Sequence, residues 1–150
     1  MSFIVKGMIL FWGAFGCSFF SEEPTEEQKI QRVLFQVEEA IESEALQKAM
    51  SSFSDNYKDS QGLSKKAIQA VLFQRFRKHG PIHLQFSPMV IDVQGDRAEV
   101  ELEVGILERD GEAILGLPVG TELLHFNVSL LKENQEWKII SHTRELVMEE

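Results

Sequence analysis

Apolar residues recur along the first half of the chain at helical spacing. Ile30, Val33, Leu34, Val37, Ile41 and Ala45 form one stripe, and Leu46, Ala49, Met50 and Phe53 carry it onward. Thr25-Glu26-Glu27-Gln28 has the form of a capping box, and its two glutamates suit the positive end of a helix dipole. The pattern predicts one helix from Thr25 to about Met50, with Phe35 off its buried side. The stretch from Ser52 to Gly62 interrupts the pattern. Ser64 then caps a second helix, with Ile68, Val71, Leu72 and Phe76 as its buried face. Lys65, Lys66, Arg75, Arg77 and Lys78 give that helix a basic, solvated face, and His79-Gly80-Pro81 ends it.

From Ile82 the period changes to two. Val93-Gln94-Gly95-Asp96-Arg97 reads as a hairpin that sets Met89, Ile91 and Val93 beside Ala98, Val100 and Leu102. Leu84 and Phe86 have the other parity, so a bulge is expected at Ser87-Pro88. A third strand, from about Thr121 to Lys132, alternates Leu124, Phe126, Val128 and Leu130 against Leu123, His125, Asn127 and Ser129. Glu133 to Glu136 turns it into a fourth. An even loop pairs Leu130 with Ile139, Val128 with Ser141 and Phe126 with Thr143. That register puts Trp137, Ser141 and Thr143 on the core face and Lys138, Ile140, His142 and Arg144 outside, with Arg144 opposite His125. Asp110-Gly111 and Leu117 to Gly120 are turn signals around Ala113-Ile114-Leu115. They leave a short extra strand or a flap, the strand being favoured.

The segment before this domain is apolar with one lysine, Lys6. Gly7 to Phe15 makes a short hydrophobic region, and Ala14-x-Gly16 places small residues as signal peptidases require. The run to Phe20 is shorter than the roughly 20 apolar residues of a spanning helix and is interrupted by Gly13 and Gly16. The single cysteine, Cys17, follows directly. Ala14-Phe15-Gly16-Cys17 resembles the lipobox of bacterial lipoproteins. The resemblance implies a signal peptide over 1–16, acylation of Cys17 with chains such as palmitate, a tether over 17–24, and a domain over 25–150. It also implies attachment to the membrane of a bacterial cell envelope, with Ser18 after the cysteine favouring the outer membrane. An uncleaved anchor, plain secretion and a buried cytosolic cysteine are the alternatives.

The chain has a net charge of −9, with 26% charged and 43% apolar residues. That composition suits one soluble domain. Its sign opposes nucleic-acid phosphates, so nucleic-acid binding is not expected. His79, His83, His125 and His142 form no ligand motif, although His125 and His142 share the outer face in this register. No phosphate loop or nucleophile elbow is present, so neither a metal nor a cofactor is expected.

Two helices followed by a curved antiparallel sheet is an α+β arrangement. The order resembles the nuclear transport factor 2-like superfamily, the cone-shaped fold of ketosteroid isomerase and SnoaL-like proteins. Phe53-x-x-x-Tyr57, the Gly95-to-Val100 hairpin and Trp137-Lys138-Ile139 carry the resemblance. A cystatin-like helix on a sheet is the alternative. The resemblance implies a pocket between helices and sheet, for which Tyr57, Phe126, Val128, Trp137, Ser141 and Thr143 are the candidate lining. Asp55 and Asp59 are placed near its mouth. This lining is nearly apolar, whereas isomerase chemistry needs a carboxylate base beside a donor. No catalytic residue is assigned. The expectation is a non-catalytic, anchored protein binding a partner protein or small apolar ligand. An isomerase- or dehydratase-type enzyme is the alternative, as is a homodimer formed through the outer sheet face around Leu123, Leu131, Ile140 and Leu146.

Overall fold

The computed structural model describes residues 22–80, 82–108, 113–114, 117–118 and 122–147. The expected signal peptide and Cys17 lie outside the described residues. Three helices, α1 (Glu26–Glu42), α2 (Leu46–Met50) and α3 (Lys65–His79), precede the strands. These are β1 (Ile82–Phe86), β2 (Val90–Gln94), β3 (Arg97–Glu108), β4 (Ala113–Ile114), β5 (Leu117–Pro118), β6 (Glu122–Glu133) and β7 (Glu136–Leu146). A five-stranded antiparallel sheet runs β1-β3-β6-β7, with β2 also on β3. β4 and β5 form a separate two-stranded ribbon.

The capping box forms as expected: Gln28 N–H donates to the Thr25 hydroxyl, and Thr25 N–H donates to the Gln28 side chain. Ile30, Leu34, Val37 and Ala40 are the buried face of α1, while Phe35 stays half exposed. The helix does not run through to Met50. Ala45 N–H bonds to Ala40 C=O and Glu44 N–H to Ile41 C=O, which is the Schellman pattern. Glu44 takes the left-handed position at φ 55, where glycine is usual, so composition gave no warning of the break. Ser64 caps α3 by accepting from Ala67 N–H. Its expected apolar face is only partly covered: Ile68 and Leu72 pack on the core, but Val71 is 49% exposed.

Gly95 has φ 62, as a two-residue hairpin loop requires at its first central position. The β2–β3 register is the expected one, with Val93 opposite Ala98 and Ile91 opposite Val100. The parity change falls at Ser87-Pro88-Met89, between β1 and β2, both of which pair with β3. Ser87 holds that break: its N–H donates to Glu103 C=O and its hydroxyl accepts from Glu103 N–H.

Other parts of the chain bond to backbone groups at both margins of the sheet. On β1, the Glu42 carboxylate accepts Leu84 N–H at 2.8 Å and lies 2.7 Å from His83 Nδ1. Along β7, Ser54 N–H donates to Ile139 C=O, Ile139 N–H to Ser52 C=O, and Lys58 N–H to Ile140 C=O.

Glu26 joins α1 to the far end of the sheet. Its carboxylate accepts the indole N–H of Trp137 at 2.7 Å and pairs with Lys132 at 2.8 Å and Lys29 at 2.9 Å. Those donors, Lys132 first, hold its pKa down at about 2 from an ordinary 4.5. A carboxylate with a depressed folded pKa adds stability above its unfolded pKa and loses it as pH falls towards the folded value. The stability difference between wild type and Glu26→Gln, read from urea midpoints, should therefore be largest above pH 4.5 and shrink as pH falls from 4.5 towards 2. A difference that is flat across that window would show that the cluster does not form.

Candidate functional site

A cavity of about 230 Å³ lies between α1, α3 and the concave face of the sheet. Leu34 and Val37 line it from α1, Ile68 and Leu72 from α3, and Leu102 and Val128 from the sheet. Such a largely apolar hollow with a few polar groups is the ordinary form of a small-molecule site. The polar groups at its wall are Arg75 from α3 and His142 and Arg144 from β7. Among the described lining residues there is no carboxylate.

His142 and Arg144 face inward because β7 carries a bulge. Leu130 pairs with Ile139 as expected, but Ser129 pairs with Ser141, Val128 with His142 and Phe126 with Arg144. Ile140 is the additional residue, and every side chain after it changes face. Ser141 and Thr143, expected inside, therefore belong to the outer face. Arg144 is not opposite His125, whose partner is Glu145. His125 and His142 lie on opposite faces and do not meet. Leu146 is paired with Leu124 and falls outside the proposed outer patch.

The remaining candidates divide. Phe126 and Val128 line the cavity. Tyr57 is 2% exposed and reaches the site through His142, sharing a hydrogen bond with its Nδ1. Trp137 is buried at the Glu26 cluster and does not line the cavity. His142 is stacked between Tyr57 at 5.9 Å and Phe126 at 5.7 Å, centroid to centroid. Phe53 meets Tyr57 edge-on at 5.2 Å.

Burial disfavours charge on both members of the pair. It lowers the His142 pKa, with Arg144 adding to the effect and Asp59 opposing it. It raises the Tyr57 pKa, with Asp59 adding and Arg144 opposing. At neutral pH the pair is an uncharged phenol on an uncharged imidazole. Sequence reasoning missed Arg75, His142 and Arg144. The adjacent apolar pair Ile139-Ile140 is the one local signal for the bulge, since alternation admits only one of the two on the core side.

Among the described residues, no group of three His, Cys, Asp or Glu side chains could hold a metal ion. No described helix is long and apolar enough to cross a membrane.

No family model and no curated protein matches the chain. Solved structures do. Bd1075 of Bdellovibrio bacteriovorus superposes with a TM-score of 0.70 at 15% identity over 82% of this chain, which spans only 41% of that one. A putative dehydratase of the NTF2-like family from Streptomyces avermitilis gives 0.68 at 16% identity, covering 82% of this chain and 97% of that one. A Nostoc punctiforme protein of unknown function with a cystatin-like fold gives 0.64 at 16% identity, covering 83% and 94%. Identities this low establish architecture alone, and that architecture is the α+β cone of nuclear transport factor 2-like, cystatin-like proteins.

Proposed function

We propose that this is a lipid-anchored envelope protein whose cone binds a small, largely apolar molecule without transforming it. The observation that carries the reading is the cavity of about 230 Å³ with an apolar wall and, among the described residues, no carboxylate in its lining. An engineered apolar cavity of about 150 Å³ takes up benzene, so this one suits an occupant of about nine non-hydrogen atoms. The anchor rests on the lipobox-like run ending at Cys17. Stable attachment needs more than one acyl chain, which a lipoprotein cysteine supplies. The outer sheet face, carrying Leu123 and Leu131 beside the Glu99–Ser129 hydrogen bond, is the surface available to a partner protein or a second copy.

An enzyme of the dehydratase or isomerase type is the second reading. One observation favours it, the Tyr57–His142 pair at the cavity wall, and the Streptomyces protein of this fold carries a dehydratase description. Against it, burial lowers the basicity of His142 and Tyr57 occupies its Nδ1, whereas a general base works best with a pKa near the operating pH.

The test uses the full chain in phosphatidylcholine vesicles with 4-fluoroanisole, a neutral probe, followed by fluorine NMR against vesicles alone. Binding is expected in wild type and in His142→Ala, and is lost in Val128→Phe, which fills the cavity. A wild type that does not bind, or a Val128→Phe variant that binds equally, sinks the reading. Fatty-acid labelling that persists in Cys17→Ala sinks the anchor.

A further inference from the structure

The cavity wall is unbalanced in charge. Arg75 and Arg144 both contribute to it, and no carboxylate does among the described residues. Neither arginine takes part in an ion pair among the described residues. Arg75 Nε is buried and has no hydrogen-bond partner among the described residues. A buried, unpartnered donor on a charged group costs free energy that a bound acceptor recovers. Asp59 lies close enough for its charge to act on Tyr57 and His142, but it does not line the cavity, and one of its carboxylate oxygens accepts Gln61 N–H at 2.9 Å and Leu63 N–H at 2.7 Å. Nor is the cationic wall a property of the whole surface, since the chain carries a net −9.

We infer that the occupant of the cone is a small amphipathic carboxylate, its apolar body among Leu34, Leu72, Leu102 and Val128 and its carboxylate at Arg75 and Arg144. This rests on the binding reading above and specifies its ligand class. Guanidinium groups suit this role because their planar forks match a carboxylate in two parallel hydrogen bonds. Arg75 is half-buried on α3, whereas Arg144 is exposed on β7. The head group would thus bridge helix and sheet at the rim while the body fills the hollow behind it. His142 has its Nδ1 engaged by Tyr57. As an uncharged ring it serves as wall beside Phe126 and leaves the anion to the two arginines.

The experiment compares 4-fluorobenzoate with its neutral isostere 4-fluorobenzamide, both by fluorine NMR, on the full chain in phosphatidylcholine vesicles. These zwitterionic vesicles add no net repulsion of the anion. The benzoate should bind at least about tenfold more tightly, the scale of one charge-assisted pair in a partly dry site. The preference should weaken in Arg144→Gln, an exposed position whose loss does not disturb the core, and fall to within about twofold in Arg75→Gln/Arg144→Gln. Equal binding of benzoate and benzamide overturns the inference, and so does a preference that survives the double variant. If 4-fluoroanisole still binds in either case, the cavity reading stands and only the anion assignment falls. If none of the three probes binds, both fall.

Discussion

Trp137→Ala is expected to destabilise the fold by about 3–5 kcal/mol, the range for removing a large aromatic side chain from a packed interior. Trp137 is 3% exposed and belongs to the main core with Ile30, Leu130 and Ile139. The truncation removes more than apolar area. It takes a donor from Glu26 and the ring face over which Lys132 lies at 5.2 Å. The cluster that ties the first turn of α1 to the β6–β7 hairpin would lose its central side chain. Equilibrium unfolding of the full chain in urea measures the effect. A loss below about 1 kcal/mol would mean that the indole is not packed as described. Trp137→Phe should recover most of the packing but not the Glu26 hydrogen bond, separating the two contributions.

Deleting Ile140 is expected to straighten β7 without turning its second half over. With the additional residue gone, Ser141 follows Ile139 directly, so Ser129 still faces Ser141, Val128 still faces His142 and Phe126 still faces Arg144. His142 and Arg144 therefore stay on the cavity side, and Tyr57 keeps the partner of its hydroxyl. What the deletion removes is the Ile140 C=O that accepts Lys58 N–H, a loss of about 0.5–1.5 kcal/mol for one hydrogen bond. Unfolding gives the stability change. Nitrogen-15 NMR gives a sharper readout, because burial lowers the His142 pKa in the wild type. In the deletion it should stay below the ordinary histidine value of about 6.5. A His142 pKa that returns to that value would show that the ring has turned outward and that Ile140 is not the additional residue.

Most of the architecture follows from local chemistry. Thr25 and Gln28 cap α1, Ser64 caps α3, and Gly95-Asp96 turns β2 into β3, each by contacts within a few residues. The β6 alternation places Leu124, Val128 and Leu130 in the core as expected. What the sequence did not disclose depends on partners far along the chain. The bulge at Ile140 goes with the segment from Ser52 to Lys58, whose backbone pairs with Ile139 and accepts the offset carbonyl of Ile140 as a partner for Lys58 N–H. Strict alternation carried through that point gave the right face for Trp137 and the wrong face for Ser141, His142, Thr143 and Arg144. The helix break at Ser43 to Ala45 was hidden for a different reason. A glutamate rather than a glycine occupies the left-handed position, so a strained residue stood where a punctuation residue was sought. For the site, the cost was specific. An apolar cone was legible in Phe126 and Val128, but its cationic rim was not.

The margins of the sheet bear on what happens when many copies are held close together. Free strand edges template the addition of further strands, and that is the route to cross-β growth. Anchored copies, as proposed here, meet in two dimensions at high local concentration. On one side Glu42 caps Leu84 of β1, and Ser87-Pro88-Met89 divides the margin into two strands of five residues. On the other, the backbone from Ser52 to Lys58 occupies the hydrogen-bonding groups of Ile139 and Ile140 in β7. Neighbouring copies at a crowded membrane would therefore find Leu84 N–H, both backbone groups of Ile139 and the Ile140 C=O already taken, which narrows where a strand could be added.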